Sequence, residues 1–233
     1  MITQITQISA VAKETLDCIQ AGADYVGFAI SKTSGGSALP QAMGHSIAPE
    51  TAKAIFAEIG DKATKVAIIG FNGEGQDEIL EMAVDLKPDI LHLASEFPTN
   101  EDFYNRFKQM LHGCRLMQAI PMGEGFDSVA FAKKHEPYTD LFILDTIDPA
   151  SGNAGASGLT HDWSVSKRIV DSVGAPVILA GGLGPDNVAQ AIVQVHPYGV
   201  DSLTKTNMVS TNGELLGKDI EKVRQFCEIA HSY

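Results

Sequence analysis

The feature that most constrains the fold of this 233-residue chain is a regular alternation of two kinds of segment. Short runs rich in β-branched residues, which predict strands, alternate with longer segments whose apolar residues recur at helical spacing. The alternation repeats eight times. The predicted strands are Ile2 to Ile8, Tyr25 to Ile30, Lys65 to Gly70, Ile90 to Leu93, Leu116 to Ile120, Leu141 to Asp145, Val177 to Ala180 and Val200 to Thr204. The predicted helices are Val11 to Ala21, Pro49 to Ile59, Asp77 to Leu86, Asn100 to Leu111, Phe126 to His135, Trp163 to Val173, Asp186 to Val195 and Asp219 to His231, with Thr99 and Asp162 as two of their N-caps.

Strands that follow one another through helices are expected to be parallel, which makes the fold α/β throughout. Segments 66–69 and 177–180 are apolar at consecutive positions, as in a parallel sheet that is covered on both faces. Eight such units fit a closed (β/α)₈ TIM barrel, whose usual length is about 250 residues. An open doubly wound sheet is the alternative, but segment 8–11 contains no glycine, so the dinucleotide fingerprint is missing there. We therefore predict one barrel domain over residues 1–233.

The charge of the chain excludes several kinds of partner. With 17 Lys and Arg against 29 Asp and Glu, the formal net charge is −12. Nucleic acids and anionic membrane surfaces are bound mainly by basic residues, so neither is an expected partner. No apolar stretch approaches the roughly 18 residues of a membrane span. We expect a small phosphorylated sugar as the partner, and a monomer or a homodimer.

The cysteines and the N-terminus indicate the compartment. Cys18, Cys114 and Cys227 are odd in number and widely spaced, which favours reduced core thiols rather than a disulfide framework or a zinc site. Residues 1–7 lack the basic start and continuous apolar run of a signal peptide. The sequence thus predicts a cytoplasmic protein, and nothing in it requires a metal or an organic cofactor.

In a TIM barrel the active site lies at the C-terminal ends of the strands, so the loops there are the ones to search. The loop after the seventh strand contains Gly181, Gly182, Leu183 and Gly184 and leads into a helix. Glycines let the backbone approach an anion closely, and N–H groups at a helix start can hold it. Because barrels often bind phosphate after strands 7 and 8, we predict a phosphate site here, although a simple tight turn is the alternative.

Asp145 follows four apolar residues at the end of the sixth strand. A carboxylate at that point would lie at the barrel mouth, partly removed from water, where its pKa rises and suits it to proton transfer. A loop-orienting aspartate is the alternative. The sequence therefore offers Asp145 as the first candidate for an acid or a base.

Several short blocks, taken together, resemble the phosphoribosylanthranilate isomerase family. They run in the family's order from about residue 20 to the C-terminus: 21–28 (AGADYVGF), 144–146 (LDT), 155–158 (GASG) leading to Asp162 and Trp163, 179–183 (LAGGL) with 185–188 (PDNV), 199–201 (GVD) and 217–219 (GKD). The resemblance implies a TIM barrel that carries out an Amadori rearrangement in tryptophan biosynthesis. Such a reaction opens a phosphoribosyl ring attached to anthranilate and moves a proton from C2, giving a ketose.

The resemblance also implies roles for particular residues. The family's general acid is the aspartate of its Leu-Asp-Thr motif, which matches Asp145. Its phosphate loops match Gly182 and Leu183 after the seventh strand and the residues after the eighth, here Thr204 and Lys205; Gly158 lies in a further matching loop. No cofactor is implied.

The first strand departs from the family's pattern. The family begins Lys-Ile-Cys-Gly-Ile-Thr, and its cysteine is the general base, whereas this chain places Thr6 or Gln7 at that position. Neither side chain is a competent base near neutral pH, so the identity of the base stays open. His45 and His161, in candidate site loops, are alternatives.

Three other positions also depart. After the second strand the family carries an arginine expected to hold the anthranilate carboxylate, and this chain has Gly36 there, with Lys32 as the nearby substitute charge. On the fourth strand the family's Gln-Leu-His-Gly becomes 92–95 (HLAS), which starts with His92. After the eighth strand Lys205 adds a positive charge, either as a phosphate ligand or as an amine nucleophile.

These matches and departures leave three functions open. The chain is a phosphoribosylanthranilate isomerase with substitute catalytic groups, or an isomerase, epimerase or aldolase for another phosphorylated sugar, or a catalytically silent barrel that binds a phosphometabolite or a protein. The fold does not decide among them.

Overall fold

A computed structural model of the protein describes residues 1–6, 8–9, 11–32, 46–70, 75–93, 99–147, 158–212 and 215–233. Gln7, Gly36 and His45 lie outside the described residues. Eight parallel strands close into a barrel in which each strand pairs with the next and β8 pairs with β1. The strands are β1 (Ile2–Thr6), β2 (Tyr25–Ala29), β3 (Thr64–Ile69), β4 (Ile90–Leu93), β5 (Arg115–Met122), β6 (Leu141–Thr146), β7 (Val177–Leu179) and β8 (Gly199–Ser202).

The helices that follow these strands are α1 (Ala12–Gln20), α2 (Pro49–Ile59), α3 (Gln76–Leu86), α4 (Glu101–Met110), α5 (Ser128–His135), α6 (Trp163–Ser172), α7 (Val188–Val195) and α8 (Ile220–His231). The predicted (β/α)₈ barrel is confirmed. The sequence did not predict an antiparallel hairpin between β8 and α8, formed by β9 (Asn207–Val209) and β10 (Leu215–Lys218).

Local side-chain chemistry explains several of the helix starts. The Asp162 side chain accepts a hydrogen bond from the Ser164 N–H and caps α6, as predicted. At α4, however, the cap is Asn100, which accepts from the Phe103 N–H. Thr99 instead donates its own N–H to the side chain of Gln118 on β5, at 2.7 Å. The predicted Thr99 cap is therefore wrong by one residue, because α4 begins at Glu101 and the Asn100 side chain supplies the capping oxygen.

Alternate residues of the strands face two apolar layers, as the pleat requires. One layer lies between strands and helices and contains Phe28, Leu91, Phe142 and Val200. The other fills the barrel with residues of β2 to β7: Tyr25, Val66, Ile68, Ile90, Met117, Ala119, Leu141, Ile143, Ile178 and Ala180. On β8 and β1 the inward positions carry Asp201, Gln4 and Thr6 instead, all of them buried. The barrel interior thus has an apolar sector and a polar sector.

Three aspartates fasten the N-terminal ends of neighbouring strands. Each stands directly before an even-numbered strand, and its carboxylate accepts the backbone N–H of a residue in the preceding strand at 2.7 to 2.8 Å. The aspartate's own N–H returns to the carbonyl of that same residue. The pairs are Asp24 with Thr3, Asp89 with Lys65, and Asp140 with Leu116. Before β8 the corresponding residue is Tyr198, so this contact is missing there.

All three cysteines are free and buried, two in the layer beneath α1 and α8 and one before β5. Burial raises the pKa of Cys18 and Cys114 to about 12 and that of Cys227 to about 11. The prediction that these thiols behave as core residues is confirmed. No helix among the described residues is long and apolar enough to cross a membrane.

Candidate active site

Asp145 lies at the mouth of the barrel, near the end of β6. Its neighbour Leu144 belongs to the layer beneath the helices, and Ile143 faces the barrel interior, so strand alternation turns Asp145 inward. The side chain is only partly buried, unlike the four residues before it. The pairings Leu144↔Leu179 and Leu179↔Val200 bring Asp145 level with Asp201, two strands away. The mouth therefore holds two inward carboxylates.

The predicted phosphate-binding residues come together beside this mouth. Gly182 has a φ of +60°, and a Cβ added to it would lie 2.7 Å from the Gly158 carbonyl oxygen. A Cβ on Gly158 would in turn lie 3.1 Å from the Thr204 hydroxyl oxygen. Only glycine fits this close approach of three loops. The loops after β6, β7 and β8 therefore converge on one small, glycine-lined region.

Lys205 and Leu183 reach this region in different ways. Lys205 is exposed, and a Cβ on Gly184 would lie 2.7 Å from the Lys205 Cβ, so the lysine stem runs along the glycine loop. The side chain of Leu183 is only 1% exposed and belongs to the core. Of the predicted phosphate contacts, Leu183 can therefore offer only its backbone.

The loop after β7 is fastened before any ligand binds. The Asn187 side chain accepts from the Gly184 N–H at 2.9 Å and donates to the Gly182 carbonyl at 3.0 Å. The Ser202 hydroxyl donates to the Leu183 carbonyl at 2.7 Å. Directly after this loop α7 begins, whose positive N-terminal end favours an anion. Preorganised loops of this kind lose little entropy when they bind a phosphate.

Behind Gly181, hydrogen bonds engage both ring nitrogens of His161. A Cβ at Gly181 would overlap the Thr146 hydroxyl, so no larger residue fits. The His161 Nδ1 lies 2.8 Å from that hydroxyl, and its Nε2 lies 2.7 Å from the Ser166 hydroxyl. Burial lowers the pKa of His161 to about 4. Both ring nitrogens are thus engaged in supporting the loop, which leaves neither for the open role of base.

Thr6 stands at the C-terminal end of β1 within a buried polar cluster. Its hydroxyl donates to the Asp201 carboxylate at 2.5 Å and accepts from the Gln4 Nε2 at 3.1 Å. Burial raises the pKa of Asp201 to about 6, against the opposing effects of the Thr6 hydrogen bond and the Lys218 charge. We call Gln4, Thr6 and Asp201 the polar sector. Asp201 was missed as a site residue, although an acidic residue inside a strand is a recognisable signal in the sequence.

Lys218 lies behind the polar sector and was also missed. It is 4% exposed, and its Nζ donates to the Leu203 carbonyl at 3.0 Å and to the Asn207 side chain at 2.8 Å. These contacts bracket the short 3-10 turn Thr204–Thr206, which carries Lys205. Burial lowers the pKa of Lys218 to about 8, while the nearby Asp201 charge opposes that shift. The lysine thus fixes the turn and supplies a positive charge near Asp201.

Two other candidates lie away from the glycine-lined region. The Lys32 Nζ lies 3.4 Å from the Glu78 carboxylate of α3, and about half of its side chain is exposed. The structure thus pairs Lys32 with α3 rather than with Gly182 or Lys205. His92 is inside the barrel on β4, where burial lowers its pKa to about 4 and its Nδ1 has no hydrogen-bond partner. Among the described residues no group of three or more His, Cys, Asp or Glu side chains is placed to hold a metal ion.

Comparison with known proteins identifies the family. The family model described as N-(5'-phosphoribosyl)anthranilate (PRA) isomerase matches residues 10–229. An N-(5'-phosphoribosyl)anthranilate isomerase of Methanocella arvoryzae is 32% identical, over 93% of this chain and 92% of its own length. One from Methanothrix thermoacetophila is 31% identical, over 97% of this chain and 96% of its own.

Solved structures share the fold. The crystal structure of the phosphoribosylanthranilate isomerase of Thermotoga maritima covers 100% of both chains with a TM-score of 0.76 at 24% identity. Another crystal structure of a phosphoribosylanthranilate isomerase holds reduced 1-(o-carboxyphenylamino)-1-deoxyribulose 5-phosphate, and covers 100% of both chains with a TM-score of 0.73 at 22% identity. Because the family model and two relatives above 30% identity span nearly the whole barrel, this chain belongs to the phosphoribosylanthranilate isomerase family of enzymes.

Proposed function

We propose that the protein catalyses the Amadori rearrangement of N-(5'-phosphoribosyl)anthranilate, with Asp145 as the general acid and the glycine-lined region as the phosphate site. The observation that carries this proposal is the position of Asp145, an inward carboxylate at the barrel mouth beside the converging loops of Gly158, Gly182 and Thr204. The activity is that of the family, and the assignment of residues follows the geometry.

The reaction begins with Asp145. Its carboxyl proton passes to the ribose ring oxygen as the bond between that oxygen and C1 breaks, and the anthranilate nitrogen stabilises C1 as an iminium ion. Loss of the C2 proton then gives an aminoenol, which tautomerises to the ketose product.

Phosphate binding must overcome the field of a chain with net charge −12. The Lys205 ammonium group supplies a local positive charge, and the N-terminus of α7 and the loop N–H groups add partial positive charge. In this proposal Lys205 binds the phosphate as a point charge rather than acting as a nucleophile. The remaining substrate contact in this proposal, Lys32 with the anthranilate carboxylate, would require Lys32 to leave Glu78.

The protein's surroundings are part of the proposal. Three free, buried thiols suit a reducing compartment, so we place the enzyme in the cytoplasm. Light scattering on the purified protein distinguishes the proposed monomer from the homodimer.

The decisive experiment follows the fluorescence of freshly prepared N-(5'-phosphoribosyl)anthranilate after mixing with the purified protein. We expect turnover well above the spontaneous decay, and we expect Asp145→Asn to lower kcat by at least about a hundredfold. Asp171→Asn, the same change on the exposed face of α6, is the matched control and should leave kcat unchanged. No turnover by the unsubstituted protein would refute the proposal and leave another phosphorylated sugar or a silent binder as the function.

Lys205→Met tests the phosphate site separately. Because the lysine binds a part of the substrate that does not react, KM should rise about tenfold or more while kcat changes little. Lys167→Met, on the exposed face of α6, serves as the control. An unchanged KM would remove Lys205 from the site.

A further inference from the structure

We propose that Thr6 and Asp201 act together as the base of the reaction, with the Thr6 oxygen accepting the C2 proton while its own hydroxyl proton passes to the Asp201 carboxylate. This inference rests on the proposed function. It answers the question raised by the first strand, where a hydroxyl replaces the thiol of the family's motif.

The hydrogen-bond directions around Thr6 fit such a relay. The hydroxyl has one hydrogen, and it points to the Asp201 carboxylate at 2.5 Å. Of its two lone pairs, one accepts from the Gln4 Nε2 at 3.1 Å. The second lone pair is the one that can accept a proton from a ligand. A threonine arranged in this way passes a proton on without becoming an alkoxide.

The position of Thr6 suits contact with a substrate. It is the last residue of β1, at the C-terminal end of the barrel where the mouth opens. On the neighbouring strand stands Gly27, and a Cβ there would lie 3.2 Å from the Thr6 hydroxyl oxygen. The absence of a side chain at Gly27 therefore leaves space beside the hydroxyl. Asp201 pairs in register with Gln4, two residues before Thr6, and the two side chains are almost equally buried, Asp201 at 6% and Thr6 at 7% exposure.

The proton balance closes within the proposed reaction. After Asp145 has opened the ring, the electrons of the C2–H bond form the C1=C2 double bond and neutralise the iminium nitrogen. The C2 proton moves to the Thr6 oxygen, and the Thr6 hydroxyl proton moves to Asp201, which becomes neutral. Asp145 ends the step ionised. The two carboxyl groups thus exchange protonation states, and before the next turnover water must return a proton to Asp145 and take one from Asp201.

The surroundings of Asp201 keep it ionised near neutral pH and basic enough for the task. Burial raises its pKa to about 6, above that of an ordinary aspartate. The groups that oppose this rise are the Thr6 and Gln4 side chains of β1 and the Lys218 charge on β10. Beside Lys218, on α1, are Glu14 and Cys18, and from β7 the inward residues are the apolar Ile178 and Ala180. Lys218 is thus the cation whose charge lowers the pKa of Asp201.

Three single variants of Thr6 and Asp201 test the proposal. Asp201→Asn and Thr6→Val each remove a member of the relay without changing side-chain size, and we expect kcat to fall by about a hundredfold or more. Thr6→Ser keeps the hydroxyl and should stay within about threefold of the unsubstituted enzyme. Correct folding is checked by circular dichroism and by binding of reduced 1-(o-carboxyphenylamino)-1-deoxyribulose 5-phosphate, which should be retained.

The pH profile distinguishes a relay from a structural role. For the unsubstituted enzyme, kcat/KM should fall as the pH drops through about 6, as Asp201 becomes protonated. In the double variant Thr6→Cys with Asp201→Asn, a thiol replaces the relay, so activity should return in part and the acid limb should move to higher pH. Asp171→Asn is again the control, with an unchanged profile.

The possible failures are distinct. An active Asp201→Asn or Thr6→Val variant that keeps more than a third of kcat would overturn the relay and leave the proposed function standing. A double variant that stays inactive while folded and able to bind would also count against it. No turnover by the unsubstituted enzyme would overturn both proposals.

Discussion

The two sectors of the barrel interior differ in what they contribute. Strands β2 to β7 fill their part mainly with apolar side chains such as Met117, Leu141 and Ile143, and His92 is a buried polar exception. On β8 and β1 the interior holds Asp201, Thr6 and Gln4, and the Gln4 Oε1 has no hydrogen-bond partner. Burying such polar atoms costs free energy, whereas burying Leu or Ile stabilises the fold. The comparison indicates that the apolar sector holds the barrel together, and that the polar sector, which contains the base that we propose, lowers the stability of the fold.

The largest effect on stability should come from the apolar sector. Leu141 is fully buried at the start of β6, away from the mouth. Leu141→Ala should lower the free energy of unfolding by about 2 to 5 kcal/mol, since it removes packing and leaves a cavity. Urea denaturation measures this, and kcat at temperatures below the transition should not change. Val193→Ala, at a site 56% exposed on α7, should change stability by less than about 0.5 kcal/mol. A loss below about 1 kcal/mol for Leu141→Ala would contradict the view that the apolar sector holds the barrel together.

A substitution in the polar sector should raise the free energy of unfolding rather than lower it. The folded-state pKa of Asp201, about 6, lies above the value of an unfolded aspartate, so the folded protein loses stability as the pH rises from about 4 to 6. Asp201→Asn removes the charge and should raise the free energy of unfolding by roughly 1 to 3 kcal/mol at pH 8. At pH 4 the gain should vanish, because the aspartate is then protonated in the folded protein. A destabilised variant at pH 8 would show that the charged form supports the fold.

Removing one of the aspartate contacts at the N-terminal end of the barrel, those of Asp24, Asp89 and Asp140, should lower the free energy of unfolding by a smaller amount. Asp89→Ala removes the acceptor for the Lys65 N–H and should cost about 1 kcal/mol in denaturation experiments. The activity and its pH profile should be unchanged, because this contact lies at the opposite end from the mouth. Asp85→Ala, an exposed change on α3, is the matched control. A shift of the pH profile in Asp89→Ala would contradict the view that the N-terminal end of the barrel affects stability and not activity.

The smallest expected effect is a shift of the pH profile when Lys218, which lies behind the polar sector, is replaced. In Lys218→Met the charge that favours ionised Asp201 is lost, so the acid limb of kcat/KM should move to higher pH. At pH 6 we expect kcat/KM to fall by about threefold relative to pH 8, beyond the fall of the unsubstituted enzyme. Lys222→Met, at an exposed residue of α8, is the control. An acid limb that stays in place would separate Lys218 from Asp201 and leave it only the role of fixing the Thr204–Thr206 turn.

Local patterns in the chain predicted much of the fold and part of the site. The order of strands and helices followed from the apolar runs and their spacing, because a parallel barrel buries both faces of each strand. Asp145 and the glycines after β7 were found from their place at strand ends. The same local reasoning misplaced the α4 cap by one residue at Thr99, whose N–H bonds to Gln118 of β5. It also missed the hairpin of β9 and β10, whose strands are only a few residues long.

What the sequence determined, then, was the barrel, its family and the strand ends where chemistry is possible. What only the tertiary structure decided was which side chains meet. Thr6 and Asp201 are 195 positions apart, and they touch because barrel closure sets β8 beside β1 in one register. Likewise, only the structure shows that the Lys32 ammonium group lies beside the Glu78 carboxylate of α3. Local periodicity fixes which residues face inward, but the partner of a buried polar group depends on closure and register, which no single segment encodes.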